Sequence, residues 1–390
     1  MLEELTGLKS FLLDFTEEQI MIRDTVRDYA EKVIKPRVME FDENQIFPYD
    51  IMRELGDMGF MGILVPHEYG GSGLGYIEYA LVIEELAKID PSIALSVAAH
   101  NGLCTNHIYL FGNEEQRQKY LPDLASGKKI GAWGLTEPAS GSDAAALKTV
   151  ATKEGNKYLL NGSKTFTTHG TVGKTSVMMA ITDKSKGTKG ISAFIVDPES
   201  PGFIRGKKEN KLGMRASDTT QLTFENCEVP EGNLLGIEGE GFKQAMKVLE
   251  GGRISIAALS VGLAQGCLNE SIKYSNERHQ FGKAINQFQG IQFKLADMAT
   301  NIEAARLLTF KAASRKDKGQ SIAKEAAKAK LFASEIAERA SSEAVQIFGG
   351  YGFIKDFPVE KFYRDVKLLT IGEGTSEVQR IVIARQLSND

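Results

Sequence analysis

The sequence changes its hydrophobic pattern twice, and the resulting order of segments is the strongest constraint on its fold. Apolar residues recur at helical spacing up to about residue 129, short β-type runs separated by Gly, Asn and Asp turns follow, and helical spacing returns from Gly239. We therefore expect an α+β multidomain protein with domains over residues 1–129, 130–236 and 237–390. This order fits neither a doubly wound α/β fold nor an internal repeat.

The first segment carries helix signals. Thr16 and Gln19 form a capping-box pattern before an apolar run that we expect to end near Pro36. Further helices are expected over residues 49–58, 77–89 and 114–124. In the middle segment the expected strands are residues 149–153, 158–160, 176–182, 191–196 and 221–229, and residues 154–157 are typical of a hairpin connection.

The third segment predicts long helices. Ile291, Leu295, Met298 and Ile302 fall on one stripe of a helix, and residues 321–348 are rich in the strong helix formers Ala, Lys and Glu. Long helices with one apolar face need partners, so this segment predicts a helical bundle.

Charge and composition exclude several classes of function. Lys and Arg total 47 and Asp and Glu total 51, so the net charge of −4 gives no footprint for nucleic acid. The three cysteines are odd in number and widely separated, and the five histidines form no ligand pair at helical spacing. We therefore expect neither a disulfide framework nor a protein-held metal.

No targeting or membrane segment is expected. The chain has no run of 18 apolar residues, which predicts no membrane span. Glu3, Glu4 and the mixed residues up to Asp14 contain neither a signal-peptide core nor an Arg-rich transit segment. The expected compartment is the cytoplasm, or the mitochondrial matrix only if a transit peptide has been removed.

Several glycine-rich or hydroxyl-rich segments are candidate binding loops. Residues 70–75 have the spacing Gly-x-Gly-x-Gly without a βαβ pattern, which favours a surface turn over a dinucleotide site. Residues 136–143 are small and hydroxylated, so their backbone N–H groups are open to an anion or a ring edge, although a plain turn explains them equally. Residues 166–170 suit stacking on a planar ligand, but in isolation a simple β edge is favoured.

The C-terminal half adds three more segments. Residues 278–282 and 349–352 fit either a binding role or ordinary helix ends. Glu373 lies between Gly372 and Gly374, so its carboxylate has little side-chain cover, which suits a mobile base beside a bulky substrate. The alternative interpretation is a helix N-cap at Thr375 or Ser376. Both interpretations can hold together.

Taken jointly, these segments resemble the acyl-CoA dehydrogenase family over about residues 16–387, and most closely its short- and medium-chain straight-chain members. Five motifs stand in the family's order and spacing. They are Leu135-Thr136-Glu137-Pro138 with Gly141-Ser142-Asp143, Asn161-Gly162-Ser163-Lys164, Arg278-His279-Gln280-Phe281-Gly282, Gln346-Ile347-Phe348-Gly349-Gly350 and Glu373-Gly374-Thr375-Ser376-Glu377.

The resemblance implies a helical N-terminal domain, a β-barrel-like middle domain and a C-terminal four-helix bundle. It implies a homotetramer with one FAD per subunit, held partly by a neighbouring subunit. The implied reaction is α,β-dehydrogenation of an acyl-CoA thioester to a trans-2-enoyl-CoA, with electrons passed to electron-transfer flavoprotein. Neither acyl length nor branching follows from the sequence.

The resemblance also implies roles for individual residues. Glu373 matches the catalytic base, whose backbone N–H polarises the thioester carbonyl together with a ribityl hydroxyl of FAD. The implied FAD-binding residues are Trp133, Leu135, Thr136, Ser142, Phe166, Thr168, Arg278, Gln280, Phe281, Phe288, Gln289, Gln346, Gly349, Gly350, Thr375, Ser376 and Glu377. The implied acyl-CoA contacts are Ser142, Glu250, Arg253 and Gly374.

The chain departs from the family's pattern at two positions. Gly372 replaces a Tyr that precedes the base in many straight-chain members, which we expect to widen the thioester end of the acyl cavity. Gly252 occupies the position where some branched-chain members carry the base, so Glu373 has no rival there. Two other functions are weighed against dehydrogenation. An oxygen-reacting oxidase is disfavoured by length, and a helical scaffold without flavin is disfavoured by the intact flavin segments.

Overall fold

The computed structural model describes residues 15–388, so the N-terminal residues on which the targeting expectation rests lie outside the described part. The first part of the chain is helical, as expected. Its helices are α1 (Glu17–Tyr29), α2 (Val38–Asn44), α3 (Tyr49–Asp57), α4 (Tyr76–Ala87), α5 (Pro91–Ala99), α6 (Asn106–Phe111) and α7 (Glu114–Ala125).

The start of α1 confirms one sequence signal, and its end corrects another. Thr16 and Gln19 form the expected capping box, with each side chain bonded to the other's backbone N–H. The helical path does not end near Pro36. A π-helical turn (Ala30–Ile34) and a 3-10 turn (Lys35–Arg37) carry it into α2, because Pro36 stands at the start of the 3-10 turn, where no N–H is required.

The middle part is a mixed sheet of eight strands. They are β1 (Gly131–Gly134), β2 (Val150–Glu154), β3 (Lys157–Thr168), β4 (Thr175–Ile181), β5 (Ile191–Val196), β6 (Phe203–Lys208), β7 (Thr219–Pro230) and β8 (Leu234–Leu235). The strand order is β6-β7-β3-β2-β4-β5-β8, and β1 runs parallel to β4. Within residues 15–388, β6 and β8 each pair on one side only, so the sheet is open there and "barrel-like" describes it only loosely.

The hairpin expected at residues 154–157 is confirmed, since Glu154 pairs with Lys157 where β2 and β3 meet. β3 is far longer than expected because it pairs with β7 along most of its length. Three strands of this sheet were missed from the sequence, and one of them, β8, is only two residues long. β1 has the composition Gly-Ala-Trp-Gly, and β6 is a polar edge strand, so neither shows the alternation that predicts a strand.

Helices form the last part, and three of them are long, as expected. They are α8 (Gly241–Glu277), α9 (Gln289–Asp317), α10 (Ala323–Phe348), α11 (Val359–Asp365) and α12 (Ser376–Leu387), and a two-stranded ribbon of β9 (His279–Gln280) and β10 (Lys283–Ala284) joins α8 to α9. Helices α8, α9 and α10 pack against one another, and α12 packs on α10. The predicted stripe of α9 faces this core, where Met298 and Ile302 are buried.

Helix α8 organises the molecule around itself. Besides α9 and α10, it packs against α4 and α5 of the N-terminal part and against β5 of the sheet. Its middle is almost wholly buried from Gly251 to Ala264. The three parts of the chain therefore meet along α8, and any site between them is built on that helix.

Candidate active site

Glu373 lies in a tight turn between the 3-10 turn Val366–Thr370 and α12. Its φ is 53° and that of Gly374 is 97°, so both residues are left-handed. A residue with a Cβ keeps this conformation only where its surroundings hold it. Thr375 caps α12 by accepting a hydrogen bond from the Val378 N–H at 3.3 Å, so the N-cap interpretation is confirmed and leaves the Glu373 side chain available.

Two buried side chains hold the Glu373 turn by hydrogen bonds to its backbone carbonyl oxygens. Gln379 donates from Nε2 to the carbonyl oxygens of Glu373 (3.3 Å) and Gly374 (2.9 Å). Lys330 of α10 donates from Nζ to the same Gly374 oxygen at 2.8 Å. Both side chains are fully buried. The backbone around Glu373 is therefore fixed by contacts from two different helices.

The carboxylate of Glu373 lies against α8 at Gly252. A Cβ placed on Gly252 would overlap Oε2 of Glu373 and come within 2.9 Å of its carboxyl carbon. The absence of a side chain at residue 252 therefore makes room for the carboxylate. Positions 252 and 373 address the same space, although they are far apart in sequence.

The surroundings of this carboxylate suit a base that works near neutral pH. Oε2 of Glu373 is buried and has no hydrogen-bond partner among residues 15–388. Burial raises the pKa of Glu373 to about 7, against the lowering effect of the charges of Lys330 and Arg253. Arg253 is itself buried, and its Nε also lacks a partner in the described part. A carboxyl group with a pKa near the working pH is effective in general base catalysis.

Tyr79 of α4 forms another buried wall near Glu373. Its hydroxyl donates to the Ala98 carbonyl oxygen at 2.7 Å, and burial, with the nearby charge of Glu373 adding to it, raises its pKa well above the ordinary value. A Cβ on Gly102, in the π-helical turn His100–Thr105, would come within 2.7 Å of that hydroxyl. Glycines on two helical segments thus make room for the Glu373 carboxylate and the Tyr79 hydroxyl.

The sheet contributes the loop that follows β1. Leu135 is buried and Thr136 is partly exposed, and the Thr136 carbonyl oxygen accepts a hydrogen bond from the Thr165 N–H. Beneath them Glu137 and Lys164 form a buried ion pair at 2.7 Å, and Lys164 Nζ also donates to the Leu135 carbonyl oxygen. The Leu135–Pro138 and Asn161–Lys164 motifs are therefore in contact, and together they fix the loop after β1.

Near its end, β3 presents an aromatic side chain. The register between β3 and β7 is irregular between Lys164 and Thr167, and Phe166 has φ 53° within this bulge. A bulge re-aims side chains, and Phe166 is 68% exposed as a result. The adjacent Thr167 Oγ1 is buried without a partner in the described part, while Thr168 is partly exposed.

A second group of predicted residues surrounds the far end of α8. A cavity of about 520 Å³ there is lined by Tyr274, Arg278, Gln280, Ile285, Ile347, Phe348, Gly349, Gly350, Tyr351 and Ile354. Arg278 lies over the Tyr351 ring at 5.5 Å, and Phe281 is 94% exposed while contacting Phe288 edge-on. Gln289 and Gln346 are exposed beside this group.

The length of α8 separates the two groups. Gly252, beside Glu373, and Arg278 are 26 residues apart along a continuous helix, which corresponds to about 39 Å. The Glu373 carboxylate and the cavity at Arg278 are therefore separate places on one chain.

The remaining predicted residues do not line the cavity at the far end of α8. Trp133 donates from its indole N–H to His107 Nδ1 at 2.9 Å and packs in the cluster with Leu103 and Val248. Glu250 forms an ion pair with Lys247 at 3.0 Å. Ser142 and Glu377 are exposed, whereas Ser376 is buried and its Oγ has no partner in residues 15–388.

Family models cover nearly the whole chain. Models for the N-terminal, middle and C-terminal domains of acyl-CoA dehydrogenases match residues 16–128, 132–227 and 239–388. The chain belongs to the acyl-CoA dehydrogenase family. The family and fold class expected from the sequence are thereby confirmed.

Individual family members match over their full length. The chain is 49% identical over 377 residues to a Clostridium acetobutylicum protein named acyl-CoA dehydrogenase, short-chain specific, covering 96% of this chain and 100% of that one. It is 46% identical over 374 residues to the caffeyl-CoA reductase-Etf complex subunit CarC of Acetobacterium woodii, covering 96% and 99%. The structure of butyryl-CoA dehydrogenase from Megasphaera elsdenii superposes with a TM-score of 0.94 at 45% identity, covering 96% and 99%.

Sequence reasoning missed several residues that build the site of this acyl-CoA dehydrogenase. Lys330, Gln379 and Tyr79 were assigned no role, and Glu137 and Lys164 were recognised as motif residues without their pairing. One signal for Lys330 was available. It stands on the same helical stripe as Ala326, Ala333 and Ala337, where a lysine is out of place.

The described part of the chain shows neither of two other site types. No set of three or more His, Cys, Asp or Glu side chains in residues 15–388 is placed to hold a metal. None of the helices in that range combines the length and apolar character needed to cross a bilayer.

Proposed function

We propose that this protein catalyses FAD-dependent α,β-dehydrogenation of a short acyl-CoA thioester, with Glu373 as the catalytic base. The observation that carries the proposal is the unpartnered, buried Oε2 of Glu373, which lies against Gly252 and has a pKa raised to about 7 by burial. A structural carboxylate would be paired or solvated. This one is kept available for a proton.

Two sets of residues, one on the Glu373 turn and α12 and the other at the ends of β1 and β3, fit the cofactor that the family carries. Ser376 Oγ and Thr167 Oγ1 are buried polar atoms without partners in the described part, and Phe166 is held outward on its bulge. We infer that Leu135, Thr136, Phe166, Thr168 and the 375–377 segment hold the flavin end of FAD. When bound, FAD supplies the acceptor for the hydride that leaves the β-carbon.

Removal of the α-proton depends on residues of the chain itself. That proton is too weakly acidic for a carboxylate unless negative charge on the thioester oxygen is stabilised at the same time, and we propose the backbone N–H of Glu373 as one donor. The contacts from Lys330 and Gln379 keep this backbone in place. Excluding water from the site strengthens Glu373 as a base, since burial already raises its pKa.

The second group of residues supports a role for a neighbouring subunit. Arg278, Gln280, Gly349 and Gly350 line a cavity about 39 Å along α8 from Gly252. Added Cβ atoms on Gly349 and Gly350 would touch nothing, so their backbone is open to a ligand. We propose that this cavity binds part of the FAD of another copy of the chain within a homotetramer.

The exposed rings at the cavity rim are consistent with such an assembly. Phe281 is almost completely exposed and Phe353 is 88% exposed, and each is the sequence neighbour of a cavity-lining residue, Gln280 and Ile354, so a second copy bound at the cavity would cover them.

Electron-transfer flavoprotein is the proposed acceptor of the electrons. A relative with 46% identity is named as a subunit of a complex with Etf.

The three cysteines are buried free thiols, which agrees with a reducing compartment, and we propose the cytoplasm.

Spectra and a substrate panel test the function. The purified protein is expected to be yellow, and anaerobic mixing with butyryl-CoA is expected to bleach the flavin band. The panel runs from butyryl- to palmitoyl-CoA and includes isobutyryl- and isovaleryl-CoA, because Gly372 leaves room beside the base. A colourless protein would overturn the proposal. Rapid hydrogen peroxide release in air, without need for electron-transfer flavoprotein, would instead indicate an oxidase.

A further inference from the structure

Lys330 is a fully buried lysine beneath the Glu373 turn. None of its surface is exposed, and Nζ donates to the Gly374 carbonyl oxygen at 2.8 Å. Its helix face otherwise consists of small residues such as Ala326, Ala333 and Ala337. Burying an ammonium group among alanines is unfavourable. We therefore looked to the Glu373 turn, which Lys330 contacts, for the role of this charge.

The geometry of the turn gives one part of the explanation. Glu373 and Gly374 are both left-handed, with φ values of 53° and 97°. Their carbonyl oxygens point toward Gln379 and Lys330, which together make three hydrogen bonds to them. Strained backbone of this kind persists where hydrogen bonds over-determine it. Since the turn aims the Glu373 carboxylate at Gly252, the Lys330 contact also sets where the base points.

The charges around Glu373 give the other part. Lys330 of α10 and Arg253 of α8 are the cations that act on Glu373, and the Tyr79 hydroxyl of α4 faces it as a neutral group. Glu377 of α12 and Glu335 of α10 act on Lys330 rather than on Glu373. Burial lowers the pKa of Lys330 to about 8, so it is still mainly charged at the pH where Glu373 titrates.

We propose that Lys330 is a positioning residue for the catalytic base, holding the left-handed turn through the Gly374 carbonyl and favouring the carboxylate form of Glu373 by its charge. The proposal rests on the function proposed above. It assigns to one buried side chain both the direction of the base and its ionisation.

Two variants separate these effects in the flavin-containing protein. Lys330→Gln removes the charge but keeps a donor, and Lys330→Met removes both. Lys328→Gln, on the same helix but half-buried and outside the turn, is the charge-matched control. The rate of flavin reduction by butyryl-CoA is measured anaerobically as a function of pH. In both Lys330 variants the acid limb is expected to move up by roughly one pH unit, because a nearby cation that lowered the pKa of Glu373 is gone.

The maximal rate adds a second readout. Lys330→Met is expected to lose more of the plateau rate than Lys330→Gln, because only Met leaves the Gly374 oxygen without its donor. A slower enzyme with an unchanged acid limb would overturn the proposal, since a merely structural lysine would act in that way. The Lys328→Gln limb is expected to match the unmodified protein.

A titration without turnover keeps the two proposals separable. Infrared difference spectra at successive pH values follow the protonated carboxyl band that is absent from Glu373→Gln, and this band is expected to persist to higher pH in Lys330→Gln. If butyryl-CoA and the rest of the panel leave the flavin oxidised, the proposed function fails, while the infrared titration still decides the role of Lys330. An unshifted band in Lys330→Gln would overturn that role. If Lys330→Met does not fold, the band position in Lys330→Gln is sufficient to decide the question.

Discussion

The carboxylate of Glu373 occupies the space that a side chain at Gly252 would fill. A Cβ on Gly252 would come within 2.9 Å of the Glu373 carboxyl carbon and overlap Oε2. The two residues are 121 positions apart, one in the middle of α8 and the other in the turn before α12. A base on the helix and a base on the turn are therefore mutually exclusive solutions to the same geometry.

Gly252→Ala is expected to impair catalysis without removing the base. The added methyl group must push the carboxylate aside, and a misplacement of about 1 Å can cost on the order of 100-fold in rate. Stopped-flow reduction by butyryl-CoA measures the loss, and flavin content is expected to stay normal. Gly232→Ala, where an added Cβ meets nothing, is the matched control. Full activity of Gly252→Ala would show that Glu373 does not act from this position.

Glu373→Gln is expected to abolish turnover while FAD and acyl-CoA still bind. Gln is nearly isosteric and keeps the backbone N–H, but it cannot accept the α-proton, and loss of a general base costs roughly 10²–10⁴-fold. Anaerobic mixing with butyryl-CoA should shift the flavin spectrum without bleaching it. Rapid bleaching would move the role to another carboxylate, and Glu250 would be the first to examine.

In the unmodified protein the rate should depend on pH with a definite sign. Burial raises the pKa of Glu373 to about 7, so the carboxylate form is depleted below that pH and the rate falls on the acid side. The stability effect has the opposite sign. The raised pKa favours folding at low pH, and this contribution is lost as pH rises through about 7. Flavin-reduction rates and thermal melts across this range check both signs.

Some residues of this site could be predicted from the sequence and others could not. The difference is whether the residue has a local sequence signal. Glu373 could be predicted because two glycines flank it in a motif. The Thr375 cap could be predicted because Thr directly before a helix is a local signal for an N-cap. Lys330 was overlooked because a lysine in an Ala- and Lys-rich helix is usually solvated, although it stands on the stripe of Ala326, Ala333 and Ala337. Its burial depends on how α10 packs on α8, which is a tertiary fact.

The strands of the sheet likewise divide into those that have a local sequence signal and those that do not. The strand Ile191–Val196 was predicted to the residue because it is continuously apolar, and all six of its residues are buried. β1 escaped prediction because its glycines have low strand propensity and its pairing with β4 is non-local. Likewise the Glu137–Lys164 pair joins two motifs 27 residues apart, and nothing in either motif indicates the other.

Arg278→Ala is expected to weaken FAD retention and the oligomer together. Arg278 lines the cavity at the far end of α8, and an Arg bonded to a pyrophosphate contributes about 1.5–3 kcal/mol, so its loss should reduce FAD affinity markedly. FAD content after gel filtration and the sedimentation coefficient measure the two effects. Arg53→Ala, at an exposed position on α3, is the control. Full flavin occupancy in an unchanged oligomer would contradict the proposed role.

Gly372→Tyr is expected to narrow the substrate range. A Cβ on Gly372 would make only ordinary contacts with Leu368, at 3.4 Å and beyond, and the backbone is not left-handed there, so a side chain can be added without strain. The ring should clash with branched acyl groups beside the base, because steric exclusion discriminates more strongly than an added methylene contact. Equal losses of kcat/KM for butyryl- and isobutyryl-CoA would contradict this expectation.

Lys164→Met is expected to destabilise the protein and to release flavin. Lys164 is fully buried, and its ammonium group pairs with Glu137 at 2.7 Å directly beneath the Leu135–Thr136 loop. Removing one member of a buried pair leaves an uncompensated charge and typically costs about 3–5 kcal/mol. Lys157→Met on the same strand breaks a half-exposed pair with Glu228, so it should cost no more than about 1 kcal/mol.

The two variants can be compared by denaturant unfolding and by flavin content after dialysis. The double variant Lys164→Met with Glu137→Gln provides the decisive comparison. It removes the carboxylate charge that Lys164→Met leaves buried, while the single amide oxygen of Gln, placed where Oε2 lies, can still accept hydrogen bonds from the Lys148 and Thr149 N–H groups. If the pair matters through its buried charge, the double variant will recover much of the lost stability. If Lys164→Met costs no more than Lys157→Met and keeps its flavin, the pair does not hold the loop.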